Sequence, residues 1–326
     1  MHKFGKVVLS RKGFDSSAGG GYSPFDPETG KYIVLPIPMD DNERAISNGL
    51  KYEDIHIKSD CLPGYSETNL KSLMKVMEKK ATIKIKGEKK ESEYAHFDPW
   101  LGPCPWLAGG SNHSIGAFGQ IGTAQAHMDN QKVGEDSLFL FFSRFKPPKP
   151  IGQNSEKIIV PDISRKNLNE GLYFIYGWLK VERVIRKYDP SLSSLLSRHP
   201  HATEQYFDRE DPFLKKKNNT IYIADELLFP DNTIPGCGYF PELNEDLLLT
   251  ASDSDQQEYG KKWIPSRWKL PDFLRDKCLS VLKQRFVGKG GCLVETKGQW
   301  QEAVFDESEE FCQWFRSLHK QVVDGV

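Results

Sequence analysis

The first residues that could do chemistry form a polar segment near the start of the chain. Residues 10–17 read Ser-Arg-Lys-Gly-Phe-Asp-Ser-Ser, and Ala18 is followed by three glycines. The segment brings together a guanidinium, an ammonium, a carboxylate and hydroxyl groups, and the glycines let a backbone approach a ligand closely. Its residue order differs from both G-x-x-x-x-G-K-[ST] and G-x-G-x-x-G. We therefore predict a phosphate-and-sugar site here, with an ordinary polar hairpin loop as the alternative.

Two short histidine motifs could transfer protons or hold a metal. In His96-Phe97-Asp98 the imidazole and the carboxylate are two residues apart, so they lie on one side of an extended segment. His199-Pro200-His201 repeats this spacing with two imidazoles. Neither motif has a known zinc spacing, so we predict no cofactor. The alternative is a divalent metal held by His96, Asp98, His199 and His201. Loop histidines bonded to backbone are a further alternative for the second motif.

Residues 117–131 carry amide side chains at helical spacing. Gln120, Ala124, His127 and Gln131 fall at i, i+4, i+7 and i+11, and would line one face of a helix. Amides offer donors and acceptors without charge, which suits reading the edge of a nucleobase or completing a buried polar network. The residues that we predict to read a base are Gln120, Gln125, His127, Asn130 and Gln131.

A long aromatic segment and a late acidic residue complete the candidates. Residues 172–185 read as a strand rich in ring side chains, with Trp178 beside Gly177. Together with the apolar run after an acidic turn at 133–142, it resembles the strand pattern of PUA-like and EVE-like barrels that bind modified bases. Trp178 could stack on a base, or its ring could belong to a barrel core. Glu302, in a later strand, is a plausible second carboxylate to Asp15.

The elements that must position these residues indicate an α+β fold. Short β-branched or aromatic runs predict strands, and apolar stripes at helical spacing predict helices. The predicted strands are 6–10, 32–37, 82–86, 138–142, 157–160, 172–185, 220–224 and 299–305; the predicted helices are 67–80, 117–131, 272–286 and 309–323. Without regular strand–helix alternation, the sheet should be mainly antiparallel and mixed, flanked by helices, with a PUA-like or EVE-like barrel portion as an option.

Composition restricts the class of protein to which the chain can belong. The chain has 326 residues, a formal charge of -1 and 12% aromatic residues, so it folds and carries no global charge that would capture nucleic acid. We see no signal peptide and no run of 18 apolar residues. Six cysteines without a C-x-x-C pair fit reduced thiols in the cytoplasm. We expect one domain over residues 1–326, with a subdomain edge near residues 146–152, where three prolines break strand pairing.

In chain order, several motifs resemble those of the nucleotide-modification-associated domain of the third type, and the resemblance covers most of the chain. They are residues 10–17, Leu35-Pro36-Ile37-Pro38, His96-Phe97-Asp98-Pro99, Phe118-Gly119-Gln120, Ala124-Gln125-Ala126-His127 with Asn130-Gln131, residues 136–142, His199-Pro200-His201, residues 266–271 and Gln301-Glu302. Two departures stand out. Trp100 occupies a place where a second acid is usual, and Trp300 stands where the family has glycine.

The resemblance implies a role in DNA base modification, in bacterial and phage conflict systems, without naming the reaction. Our leading hypothesis is an enzyme that acts on a nucleobase by group transfer or by cleaving the base–sugar bond. The alternatives are a non-catalytic reader of modified bases and a structural partner in a larger complex. Expected partners are DNA or a nucleotide and proteins of a DNA modification or defence system, with no membrane.

Each candidate residue has a role in this hypothesis. Asp15 acts as a base or stabilises a cationic sugar transition state, and His96 with Asp98 moves a proton. The residues predicted to act in catalysis are Asp15, His96, Asp98 and Glu302. The residues predicted to bind substrate are Arg11, Lys12, Phe14, Ser16, Ser17, Gln120, Gln125, His127, Asn130, Gln131 and Trp178, with Arg11 and Lys12 on phosphate and Phe14 or Trp178 stacked on the base.

Overall fold

A curled mixed sheet organises the described part of the chain. The computed structural model describes residues 4–14, 19–85, 88–108, 115–151, 157–208, 218–231, 233–260, 262–280, 285–296 and 302–323. The strands are β1 Val7–Arg11, β2 Ser23–Pro24, β3 Ile37–Pro38, β4 Leu50–Lys51, β5 Thr82–Ile85, β6 Glu88–Glu91, β7 Tyr94–His96, β8 Ala117–Gln120, β9 Leu138–Lys146, β10 Leu172–Ile185, β11 Thr220–Ala224, β12 Cys237–Tyr239, β13 Arg267–Trp268, β14 Phe286–Val287, β15 Leu293–Glu295 and β16 Glu302–Phe305. The predicted α+β class is confirmed.

Short helices flank the sheet, and one long helix lies near the end of the chain. The α-helices are α1 Asp41–Ile46, α2 Leu70–Val76, α3 Gly122–Asn130, α4 Arg165–Leu168, α5 Pro190–Leu195, α6 Glu204–Phe207, α7 Asp253–Glu258, α8 Asp272–Asp276 and α9 Glu309–Val323, and 3-10 turns span Pro200–Ala202, Glu245–Leu247 and Lys289–Gly291. In the described ranges no helix is long and apolar enough to cross a lipid bilayer. The six cysteines are free thiols.

The large sheet has the strand order β16-β1-β9-β10-β11-β8, with β12 also paired to β10 and β2 to β9. Strands β1 and β2 run parallel to β9, and the other pairs of this sheet are antiparallel. The predicted mainly antiparallel, mixed sheet is therefore confirmed. Packed rings fill its interior: Phe118 contacts Phe139 and Phe141 edge-on, and stacks on Tyr222. These rings account for the aromatic richness of the strands.

The two edges of this sheet approach each other without pairing. β8 and β16 stand at opposite ends of the strand order, yet Gln120 Nε2 on β8 donates to Glu302 Oε1 on β16 at 2.7 Å. In the described residues this contact is made by side chains, and no backbone ladder joins the two strands. The sheet is thus curled like a barrel but open, and the optional closed-barrel portion is not formed in the described chain.

The described ranges also form three smaller sheets, and one of them contributes to the site. It has the order β3-β7-β4, and its central strand β7 ends at His96, which pairs with Ile37. Helix α1 follows β3 directly. It begins there because the Asp40 carboxylate accepts the backbone N–H of Glu43 at 2.7 Å and so caps the first turn. The other small sheets are β13-β15-β14 and the hairpin β5-β6.

The predicted boundaries hold for some elements and fail for others. β10, β11 and α9 match the predicted ranges, whereas residues 157–160 form no strand. The prediction of one helix over 117–131 is wrong in its first part, because residues 117–120 pair with β11 as strand β8. The helix starts only at Gly122, whose φ of 75° lies in the left-handed region. The helix predicted over 272–286 ends at Asp276.

Candidate functional site

A polar cavity lies where β1, β7 and β8 meet helix α1 and the 199–206 segment. Its volume is about 200 Å³. The lining residues are Arg11, Lys12, Gly13, Ile37, Glu43, His96, Asp98, Gly119, Gln120, Ile121, His201 and Tyr206. Strand ends and loops supply most of them, as is usual for functional sites carried on a rigid sheet. Segments that are far apart in sequence thus converge on one small space.

His96 is held from one side by a carboxylate. Its Nδ1 lies 2.5 Å from Glu43 Oε1, and Tyr206 Oη donates to the same oxygen at 2.9 Å. Burial opposes charge on the imidazole, but the charge and hydrogen bond of Glu43 outweigh it, so the pKa of His96 is raised. The same pair lowers the pKa of Glu43 in spite of its burial. The ring of His96 is therefore fixed in orientation by the buried carboxylate of Glu43.

Asp98 is an ionised carboxylate buried among donors. Its Oδ1 accepts the backbone N–H of Gly119 at 3.0 Å and lies 3.0 Å from His199 Nε2. Burial raises the pKa of an isolated carboxyl, but the hydrogen bond and charge of His199, with the charges of His201 and His96, bring the pKa of Asp98 to about 2. Oδ2 is left to face His96, with 3.9 Å between this oxygen and Nε2.

His201 approaches His96 ring to ring. The two Nε2 atoms are 3.2 Å apart, and His201 Nδ1 lies 2.7 Å from Asn219 Oδ1. Burial and the charge of His96 lower the pKa of His201 to about 3, so its ring is neutral. The close approach requires Gly119, because a Cβ atom built there would lie 2.2 Å from the ring carbons of His201. Gly119 thus leaves room for one ring and donates to Asp98.

Two basic residues at the end of β1 line the same cavity, and the buried carboxyl of Glu302 contacts the lining residue Gln120. Lys12 Nζ lies 4.5 Å above the ring of Phe118, and Arg11 precedes it at the end of β1. Glu302 is buried beside them, where its Oε1 accepts from Gln120 and from Ser10 Oγ at 3.4 Å. Burial raises the pKa of Glu302, and the charges of Lys12 and Arg11 only partly oppose this. A carboxyl with a raised pKa therefore stands beside two cations.

Some predicted site residues do not reach the cavity. Asp15, Ser16 and Ser17 lie outside the described residues. Phe14 is 1% exposed and packs edge-on against Tyr52, so its ring belongs to the core. Trp178 is likewise buried among Phe240 and His319, and its indole N–H donates to the carbonyl of Pro235. In this arrangement neither ring offers a free face to a base.

The amide-rich stripe divides between two places. Gln120 lines the cavity from β8. Gln125, in α3, is fully buried, and its amide donates to Asp129 and accepts from Tyr222 Oη. Asn130 is exposed and His127 and Gln131 are half-buried at the other end of the helix. None of these α3 side chains lines the cavity. The alternative of a structural amide network describes Gln125 best.

Sequence reasoning missed three residues of the site. Glu43, Tyr206 and Asn219 hold His96 and His201 in place. The pattern Asp40-x-x-Glu43 indicates a helix start, which would place Glu43 in the first turn of a helix. Nothing in the sequence places that turn against β7, because the contact depends on how α1 packs. The acidic pair Asp40-Asp41, by contrast, lines a separate surface pocket.

The fold and the site define a protein with a buried histidine–carboxylate cluster that opens into a small cavity between basic groups. The sequence model of nucleotide modification associated domain 3 matches residues 6–306. The chain therefore belongs to the nucleotide modification associated domain 3 family, and the predicted membership is confirmed. Comparison with curated proteins gives no significant match, and comparison with solved structures gives none.

Proposed function

We propose that the protein is an enzyme that acts on a nucleobase, in a nucleotide or in DNA, within a bacterial or phage modification or defence system. Family membership supports a role in nucleotide modification. The observation that carries the enzymatic part is the convergence of His96, Asp98 and His201 with Arg11 and Lys12 around one cavity. The buried carboxyl of Glu302 contacts this lining through Gln120. Clusters of titratable groups with perturbed pKa values in a cavity are typical of reaction centres.

The proposed substrate-binding mode follows from the charges and the size of the cavity. Arg11 and Lys12 would bind a phosphate, since paired cations at a strand end attract an anion. The cavity, of about 200 Å³, suits one extruded base or its reacting edge, and a duplex would not fit. Gln120 would then contact the base with an amide that is already oriented by Glu302. DNA substrates would therefore present a flipped or single-stranded nucleotide.

The proposed reaction is group transfer to a base or cleavage of the base–sugar bond. Either one needs a group that activates a nucleophile and a group that stabilises the leaving atom. His96 and Asp98 would form the group that activates the nucleophile. Glu302, with its raised pKa, would donate a proton to the leaving atom. Asp15 stays a predicted participant and lies outside the described residues.

The test uses purified protein with plain and base-modified DNA and with nucleoside monophosphates. Products are measured as nucleosides and free bases by mass spectrometry. We expect a changed base or a released base with the wild type, and none with Asp98→Asn. The matched control is Asp129→Asn, since Asp129 is a carboxylate of α3 that lies away from the cavity.

Two outcomes would contradict the proposal. Tight binding of modified DNA without any product would show a non-catalytic reader, and equal turnover by Asp98→Asn would place the reaction elsewhere. Circular dichroism melting of each variant separates loss of function from loss of fold.

A further inference from the structure

We propose that His96, Asp98 and His201 bind one divalent transition-metal ion of the zinc or iron class. One ligand atom from each residue can be chosen so that the three atoms lie within 4.8 Å of one another, and all three side chains are buried. Two imidazoles and a carboxylate are the donor set of catalytic zinc sites and of non-haem iron sites. The inference rests on the orientation of each donor, and it holds whether or not the proposed reaction is correct.

The Nε2 atom of His96 points into the cluster. A carboxylate only accepts hydrogen bonds, so the 2.5 Å contact between His96 Nδ1 and Glu43 Oε1 places the proton on Nδ1. Tyr206 Oη donates to the same oxygen and holds the carboxylate in place. Nε2 points away from Glu43 and offers a lone pair to a metal once its own proton is released, as metal binding requires. Histidine ligands of metals are oriented in this way by a carboxylate behind them.

His201 is fixed in the matching tautomer. The amide of Asn219 donates from Nδ2 to the carbonyl of His201 at 3.1 Å, which fixes which end of the amide is oxygen. That oxygen then accepts from His201 Nδ1 at 2.7 Å, so the Nε2 of His201 also carries a lone pair. A neutral amide and a carboxylate thus orient two imidazoles toward the same point.

The two lone pairs face each other at the separation that a shared metal needs. The Nε2 atoms are 3.2 Å apart. With metal–nitrogen bonds of about 2.0–2.1 Å, this separation subtends about 100° at the metal, between octahedral and tetrahedral angles. When both Nε2 atoms are unprotonated, their lone pairs repel each other unless a cation binds both nitrogens. A single shared proton is the competing occupant, and it requires no third ligand.

The third ligand is Asp98, and His199 is not a fourth. Asp98 Oδ1 accepts from Gly119 and from His199 Nε2, which leaves Oδ2 directed at the His96 side. His199 has both nitrogens occupied, because its Nδ1 accepts the backbone N–H of His201 at 3.3 Å. His199 therefore orients the carboxylate, and the four-ligand alternative drawn from the sequence is reduced to three ligands.

Three ligands leave coordination positions open. His96, Asp98 and His201 all line the cavity beside Lys12 and Gln120, so those positions face the space where a substrate would enter. An open site of this kind binds a water or a substrate oxygen and lowers its pKa. This geometry distinguishes a reactive site from a structural zinc site, which is closed by a fourth protein ligand.

The experiment measures metal directly, without substrate. The full chain, freed of any purification tag, is stripped of metal with a chelator. It is then titrated separately with Zn²⁺, with Co²⁺ and, under anaerobic conditions, with Fe²⁺. Binding of Co²⁺ is followed by its visible absorption. We expect one equivalent per chain. His96→Gln, His201→Gln and Asp98→Asn should each weaken affinity by at least about 10-fold, and Asn219→Ala by about 10-fold although it keeps all three ligands. His56→Gln, at an exposed histidine outside the cluster, is the control and should bind like wild type.

Several results would overturn the metal site. Absence of a stoichiometric transition metal ion in the wild type at micromolar concentrations would leave the shared proton as the occupant. If all three ligand variants still bind the metal as the wild type does, the metal is adventitious. Melting curves of each variant confirm that it is folded before binding is compared. Failure here leaves the nucleobase proposal standing, because that proposal is tested by product formation.

Discussion

Two polar regions lie on either side of the turn after β8, and they differ in what their polar groups contact. The cavity before the turn gathers His96, Asp98 and His201 from remote segments, with donors fixed toward an open space. Helix α3 after the turn carries contiguous polar residues, but its buried amide, Gln125, is used within the fold. Polar residues that converge from distant segments on a cavity therefore indicate function better than a polar stripe on one helix.

The largest effect is expected from Gly119→Ala. The added methyl group would collide with the ring of His201, whose atoms lie 2.2 Å from the position of the new Cβ. Overpacking of this kind costs about 3 kcal/mol of the free energy of unfolding. Displacement of His201 should also abolish metal binding and turnover. The matched control is Gly134→Ala, where a Cβ meets no atom within 4 Å. Equal melting temperatures for the two variants would refute the tight packing at the site.

Gln125→Ala should damage the fold and spare the site. The substitution removes the partners of Tyr222 Oη and of Asp129 at a fully buried position. Leaving a buried hydroxyl without its acceptor costs about 2 kcal/mol. We expect a lower urea midpoint together with unchanged metal affinity, measured on folded protein. If Gln125→Ala instead abolishes base binding at unchanged stability, α3 is the reading surface and the contrast between the two regions fails.

Glu302→Gln should separate binding from turnover. The amide oxygen can still accept from Gln120, so the free energy of unfolding should change by only about 1 kcal/mol. Loss of a carboxyl beside Lys12 and Arg11 leaves the local potential equal or more positive, so nucleoside monophosphates should bind equally or slightly more tightly. Turnover should fall, because an amide cannot donate a proton as a carboxylic acid does. Calorimetry and product assays check both parts, and unchanged turnover would remove Glu302 from the mechanism.

Gln131→Ala is expected to have the smallest effect. Gln131 ends α3 and is only half-buried, so the free energy of unfolding should change by less than about 0.5 kcal/mol. Affinity for nucleotides should be unchanged because the residue does not line the cavity. The same substitution type at Gln125 provides the comparison. A loss of DNA affinity with Gln131→Ala alone would show that the outer end of α3 contacts nucleic acid.

Local pattern predicts much of the fold, and tertiary packing decides the rest. β10 and α9 have long, uniform patterns, so their ranges follow from the sequence alone. Residues 117–131 have polar side chains at helical spacing, but pairing with β11 makes residues 117–120 a strand. Propensity is a weak guide where a neighbouring strand offers a full set of backbone hydrogen bonds.

The site was predictable in its residue types and not in its assembly. The two-residue spacing of His96 and Asp98 indicates that their side chains lie on one side, and in the structure His96 Nε2 and Asp98 Oδ2 are 3.9 Å apart. The approach of His201 to His96 depends on Gly119 and on the packing of the 199–206 segment, which no local spacing encodes. Glu43 likewise reaches the cluster only through the docking of α1.

The most direct test of the cavity as the functional site is a crystal structure of the full chain with a nucleoside 5′-monophosphate. We expect the phosphate at Arg11 and Lys12 and the base or sugar beside Gln120, within reach of His96 and Asp98. A nucleotide bound on the outer face of α3, with the cavity containing only solvent, would contradict this placement.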